Sequence, residues 1–390
     1  MSRTSAISTA QIATALAIGT VGVLMVGIQP ILLGAMVDAH SVSLEGVGLV
    51  AMAEIIAVGC GVLIGDALLA VENIRRAVML ACVALAAADI LTMSGKGDHA
   101  LIALRACAGL TEGILVWGAT AVIVRTANPG RIGGLFFVGQ TLAQAVFGAV
   151  EAHAVIPGGG WPMAFAALGA TALLAILLSL ALPASLRPIL ETGDAAFHWS
   201  FSRVRVLLVM FLQLAALGAF WAYIEPLGQA AGLGEAAAHT LVSAVLMVQV
   251  VGGCAALALL KRLPSAAALT LCSTVLFLVM ALELGVGAGN TRAFFALCVP
   301  LGFVWLFMLP FQIEHAFDAD RSGRLAGLVP AAQLLGSAVG PLTASFAVTG
   351  DDAGRIPYLS ASYALLAFVL LIARKKRGTA SLAAGRAGLD

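Results

Sequence analysis

Charge is what this chain has least of. Only 11% of its 390 residues are Asp, Glu, Lys or Arg, against about 25% in an ordinary soluble domain. A water-soluble globule of this size is excluded. The two signs nearly cancel, leaving a net charge of +1, so no basic surface for a nucleic-acid partner is expected. Cysteine is also scarce. Cys60, Cys82, Cys107, Cys254, Cys272 and Cys298 all lie inside apolar runs and form no CxxC pair, which favours buried free thiols over disulfides or zinc ligands. No GxxxxGK[ST] phosphate loop occurs, which argues against direct ATP-driven work by this chain alone. His40, His99, His153 and His239 are scattered one per loop, so neither a metal nor a cofactor is expected.

What fills the chain instead is apolar sequence. Hydrophobic residues make up 61% of it and mean hydropathy is +1.04. Windows of about 20 apolar residues, the length needed to cross a bilayer, predict spans at 10–34, 43–65, 76–94, 100–124, 132–154, 161–182, 204–226, 236–260, 265–286, 293–314, 325–348 and 357–374. The run from Ile12 to Met36 is too long for a signal-peptide core and is read as the first span. The expected class is an all-α membrane protein of twelve transmembrane helices in two six-helix bundles, residues 1–183 and 204–377. They are joined by a polar linker at 184–203 containing Arg187, Glu191, Asp194 and His198, and a small-residue tail follows at 378–390.

Basic residues alternate loop by loop. Arg3, Arg75, Arg76, Arg125, Arg131, Arg187, Arg203, Arg205, Lys261, Arg262, Arg321, Arg324 and the run Arg374 to Arg377 fall on one side; Lys96, Arg292 and Arg355 fall on the other. The positive-inside rule then puts both termini in the cytoplasm and the chain in the inner or plasma membrane. The halves also repeat. Ile28-Gln29-Pro30 matches Ile224-Glu225-Pro226 in depth. One constant shift carries Arg105 and Gly109 onto Cys298 and Gly302, Arg131 to Leu135 onto Arg324 to Leu328, and Gln140 onto Gln333. Such duplication is characteristic of transporters.

The fourth span carries the sharpest signal. Arg105 and Glu112 sit inside it seven residues apart, so they share one helix face with Gly109 between them. An ionisable group at mid-bilayer costs about 3 kcal/mol and must face protein or water. Glu112, in a low-dielectric site, is the first candidate proton carrier; Glu54, at matching depth in the second span, is the other. Arg105 is expected to attract an anionic group or to hold one of these carboxylates ionised. A structural ion pair is the competing reading. Gln29, Trp117, Trp221, Tyr223, Glu225, Cys298, Trp305 and Gln312 are further candidates for the cargo pocket. Interface anchoring competes for the aromatic ones, and a solvated rim position competes for Glu225. Glu314, His315, Asp318 and Asp320 read as an ordinary wet helix end.

Motifs then narrow the family. After the second span, Ala67 to Arg76 keeps the leucine, alanine and paired arginines of the pattern GxLaDRxGRR. Arg105 and Gly109 fit RxxqGxg in the fourth span. Gly336 to Pro341 reads GxxxGP, on the eleventh span rather than the fifth. The chain thus resembles the major facilitator superfamily over nearly its whole length. The resemblance implies a cavity lined by helices one, four, seven and ten between two rocking bundles. The expected function is secondary active transport, by alternating access coupled to protons, of a small organic solute that is amphipathic or anionic. The expected partners are cargo, protons and lipid, with the chain a monomer. Proton-driven efflux of amphipathic compounds is the alternative. A lipid-modifying membrane enzyme using the HxxxxD spacing of His315 and Asp320 is the remote one.

Overall fold

The computed structural model describes residues 7–127, 129–186, 199–320, 324–350 and 352–386. The linker residues Arg187, Glu191, Asp194 and His198, like Arg3 and Arg321, lie outside them. Helices α1 (Thr9–Asp38), α2 (Leu44–Leu68), α3 (Ile74–Thr92), α4 (Asp98–Ile123), α5 (Pro129–Val150) and α6 (Ile156–Ser179) form the first half. The second half comprises α7 (Phe201–Ala222, continued by Ile224–Ala230), α8 (Glu235–Leu259), α9 (Ser265–Glu283) and α10 (Thr291–Ala319). It closes with α11 (Arg324–Gly327 and Val329–Ser345) and α12 (Ile356–Arg386). All twelve expected spans are therefore helices. α12 runs to Arg386, into the small-residue segment that begins at 378; the alanines and the leucine of that segment favour helix.

Nine helical stretches among the described residues are long and apolar enough to cross a membrane. The difference from twelve has local causes. α5 and α6 fall in one continuous stretch, Arg131–Ser179. α3 carries Arg75, Arg76 and Asp89, and the long part of α11 has only 17 residues.

Several helices are broken, and the freed backbone groups find partners. Pro226 has no N–H to offer the carbonyl one turn back, and α7 breaks at Tyr223 (φ −117°). α1 breaks at Gly22 and Val23, where Gly22 meets the backbone of Glu112 on α4. The Val23 carbonyl, which keeps only a long 3.4 Å bond from the Gly27 N–H, accepts a 2.6 Å hydrogen bond from Gln144 Nε2 on α5. Between α5 and α6 the chain passes a π turn at Glu151–Val155, and the first turns of α6 leave helical geometry at Gly160 (φ 67°). That conformation is open to glycine at little cost.

Glycines set the packing within each half, and they do so twice. On α2 and α4, Gly109 lies against the Glu54 carbonyl and Gly61 against the Leu110 carbonyl. On α8 and α10, Gly302 lies against the Val245 carbonyl and Gly252 against the Phe303 carbonyl. In lipid no hydrophobic force drives helices together, so close van der Waals contact over small residues holds them. The repeat read in the sequence is thus a repeat of contacts.

The halves meet along α2 with α11 and α5 with α8. The seam is tight at the face opposite the basic loops. There Gly48 packs on Pro341 and Ser345, and its N–H donates to the Tyr223 hydroxyl at 3.0 Å. Gln229 Nε2 donates to Asp38 at 3.2 Å, and Thr240 meets His153 at 3.3 Å. Toward the basic face the seam loosens. A Cβ at Gly59 or Gly134 would only graze Leu334 or Leu257, each at 3.7 Å.

Candidate functional site

Two polar centres emerge, and they are separate. The first gathers around Arg105 inside the first half. Its guanidinium binds Glu54 of α2, Asp89 of α3 (2.8 Å) and Glu112 of its own helix (3.0 Å). The other carboxylate oxygen of Glu54 accepts a 2.8 Å hydrogen bond from Gln29 Nε2 on α1. The Phe165 ring of α6 covers the guanidinium, its centroid 5.1 Å from Cζ. Arg105 and Glu54 are fully buried, and Glu112 is 2% exposed. Five helices therefore converge on one cation, and Gly109 is what lets α2 approach closely enough.

Three carboxylates against one guanidinium leave two negative charges uncompensated when all are ionised. Burial makes such an excess costly. Bound protons would lower the excess, and a neutral amide donor lessens its cost. Gln29 supplies one donor, and the Glu112 Oε2 atom has no hydrogen-bond partner.

The second centre is a cavity of about 130 Å³ between the halves at mid-depth. Val26 and Gly27 of α1, Phe137, Gln140, Thr141 and Gln144 of α5, and Trp221 of α7 form one part of its wall. Leu246 and Gln249 of α8 with Trp305, Leu306 and Leu309 of α10 form the rest. The Trp221 and Trp305 rings meet edge to face, 5.2 Å between centroids. Phe137, Leu306 and Leu309 also wall a second cavity of about 300 Å³, which extends past Pro310 and Gln333 to Glu314 and Phe317 near the basic face. A larger cleft of about 490 Å³ lies at the opposite face around Ser43 and Asp98, away from both centres.

The residues expected to form one pocket thus sort into several places. Arg105, Glu112, Glu54 and Gln29 come together in the buried ion cluster rather than on the cavity wall. Trp221 and Trp305 do line the cavity. Tyr223 sits in the seam on Gly48. Glu225, weighed against a solvated rim, is fully buried, 3.3 Å from His239 Nε2 and against Gly34 of α1. Trp117 packs on Gly65 within the first half. Cys298 is buried in the core of the second half. Gln312 belongs to an amide chain: it donates to Gln213 (2.8 Å) and accepts from Gln333 (2.7 Å). His315 and Asp320 are largely buried rather than a wet helix end; His315 meets Ser265 (3.1 Å) and Asp320 pairs with Arg203 (3.1 Å).

Asp89 and the cavity amides Gln144 and Gln249 were missed. Each was visible as a polar residue in the middle of an apolar span. Nothing in the sequence marked their direction, because a lone polar residue on a helix faces a neighbour that only packing defines.

The chain matches the family model of the Major Facilitator Superfamily over residues 10–341 and belongs to that superfamily. It is thus a multi-pass membrane transporter by family. Among solved structures it is similar to a point mutant of the nucleoside transporter NupG, with a TM-score of 0.70 at 12% sequence identity. The match covers 93% of this chain and 99% of that one. At that identity the likeness concerns the fold. No curated protein matches the sequence.

Proposed function

We propose that this chain is a secondary transporter that carries a small organic solute by alternating access, with the cavity beneath Trp221 and Trp305 as the cargo site. One observation carries the reading. The cavity takes its walls from both halves, is closed by the seam at one face, and adjoins a wider cavity toward the other. Rocking of the halves about that cavity would exchange which face is sealed. With the basic face cytoplasmic, this conformation is the inward-facing one.

Proton coupling is assigned to the Arg105 cluster. Its carboxylates outnumber its cation, which gives protons a place to bind, and Gln29 links it to α1, whose Val26 and Gly27 border the cavity. Movement of α1 with cargo would disturb the Gln29 to Glu54 bond and change the charge that the cluster tolerates. Uptake with protons is the preferred direction, because GxxxGP is absent from α5. The membership of a transporter superfamily favours this reading over the lipid-enzyme alternative.

The test is counterflow in proteoliposomes holding the full chain. Labelled solute should accumulate against unlabelled solute inside, and an imposed proton gradient should drive net uptake. Exchange that ignores the gradient would remove the proton; export driven by it would reverse the direction.

A further inference from the structure

The proposed cargo site contains no charge. Its polar groups are the side-chain amides of Gln140, Gln144 and Gln249 and the Thr141 hydroxyl. The ion cluster that supplies the first half's charge is sealed within that half. Two of the four groups are already engaged: Gln144 donates to the Val23 carbonyl, and Thr141 donates to the Phe137 carbonyl at 2.9 Å. Gln140 differs. Its Oε1 atom is buried and has no hydrogen-bond partner.

The repeat sharpens the contrast. Gln333, the residue that the internal shift matches to Gln140, donates to Gln312 at 2.7 Å, and Gln312 in turn donates to Gln213. The second half ties its copy of this amide to its own residues, although Gln333 also borders the wider cavity. The first half leaves its copy on the cavity wall with an acceptor unused. A buried acceptor without a donor is costly, and a cargo N–H or O–H would remove that cost. Beside it, the edge-to-face indoles of Trp221 and Trp305 offer flat apolar surface suited to a ring.

We infer that the cargo is an uncharged, flat molecule carrying an N–H or O–H donor, and that Gln140 selects it by accepting that hydrogen bond. This rests on the cavity being the cargo site. A charged cargo would have to shed its water with no counter-charge on the wall. A neutral ring lacking a donor would leave Gln140 as it is.

The test uses four probes built on one ring: benzamide, N,N-dimethylbenzamide, benzoate and benzylammonium. Binding is read from tryptophan fluorescence of the reconstituted full chain. A Trp221→Phe, Trp305→Phe double variant shows that the signal arises in the cavity. Benzamide should bind at least tenfold more tightly than the two ions and than its dimethyl derivative. Gln140→Leu should erase the preference over the dimethyl derivative, and Gln140→Glu should raise benzylammonium affinity at least tenfold. A monodisperse elution profile for both variants shows that they fold.

Equal or tighter binding of benzoate or benzylammonium by the unaltered chain would overturn the inference, as would a donor preference that survives in Gln140→Leu. Counterflow of the same probes separates this from the transport reading. If an ion exchanges and benzamide does not, transport stands and the neutral cargo falls. If no probe binds or exchanges, both fall.

Discussion

The carboxylate of Glu225, in the short helix after the α7 break, packs directly against Gly34 of α1 while facing His239 Nε2 at 3.3 Å. The pair lies on the contact between the two halves, in the face that is shut. Asp38, hydrogen-bonded to Gln229, adds a further acidic group at this end of the seam.

A side chain at residue 34 therefore competes with Glu225 for the same space. Gly34→Val should prop the seam open. With native cysteines replaced and Ala35→Cys introduced, labelling by an impermeant maleimide should rise several-fold over the glycine parent. An unchanged rate would show that Glu225 yields without moving the halves.

Arg105 is held by three carboxylates on three helices, so its loss leaves buried charge without a partner. Arg105→Ala should destabilise the protein by roughly 3–5 kcal/mol, seen as a lower Tm in detergent. Any activity that survives should fall equally for anionic, cationic and neutral cargo, because the guanidinium does not touch the cavity. A selective loss of anionic cargo would place Arg105 in contact with it.

Glu112→Gln keeps the shape and removes one acid, and Glu112 Oε2 has no partner to lose. Its Tm should change far less than that of Arg105→Ala. Uptake driven by a proton gradient should disappear while counterflow exchange persists. Gradient-driven uptake at the parent rate would take the coupling role away from Glu112.

Trp221 and Trp305 brace each other on one wall of the cavity. Trp221→Ala or Trp305→Ala should raise the cargo KM at least tenfold in counterflow, from lost aromatic contact of roughly 1–3 kcal/mol. Wild-type KM values in both variants would move the cargo site elsewhere.

Gly109 and Gly302 meet the Glu54 and Val245 carbonyls in equivalent ways. Gly109→Val and Gly302→Val should therefore cause matched losses of folded yield, because each forces two helices apart. A defect confined to one of them would mean that the two halves tolerate separation differently.

The sequence alone was enough to determine the membrane class, the twelve spans and the internal repeat. Hydropathy, the alternation of arginine between loops, and a constant register are one-dimensional properties that the bilayer reads directly. It also exposed Arg105, Glu112 and Glu54 as buried charges. It did not determine where they point. Around a membrane helix, one direction meets a sister helix and another meets the cavity, and both accept a polar residue. Only the tertiary structure turned Arg105 inward to three carboxylates, sealed Glu225 beneath Gly34, and left Gln140 bare while Gln333 was tied. The rotation of each helix is set by its contacts with the others, and no single helix carries that information.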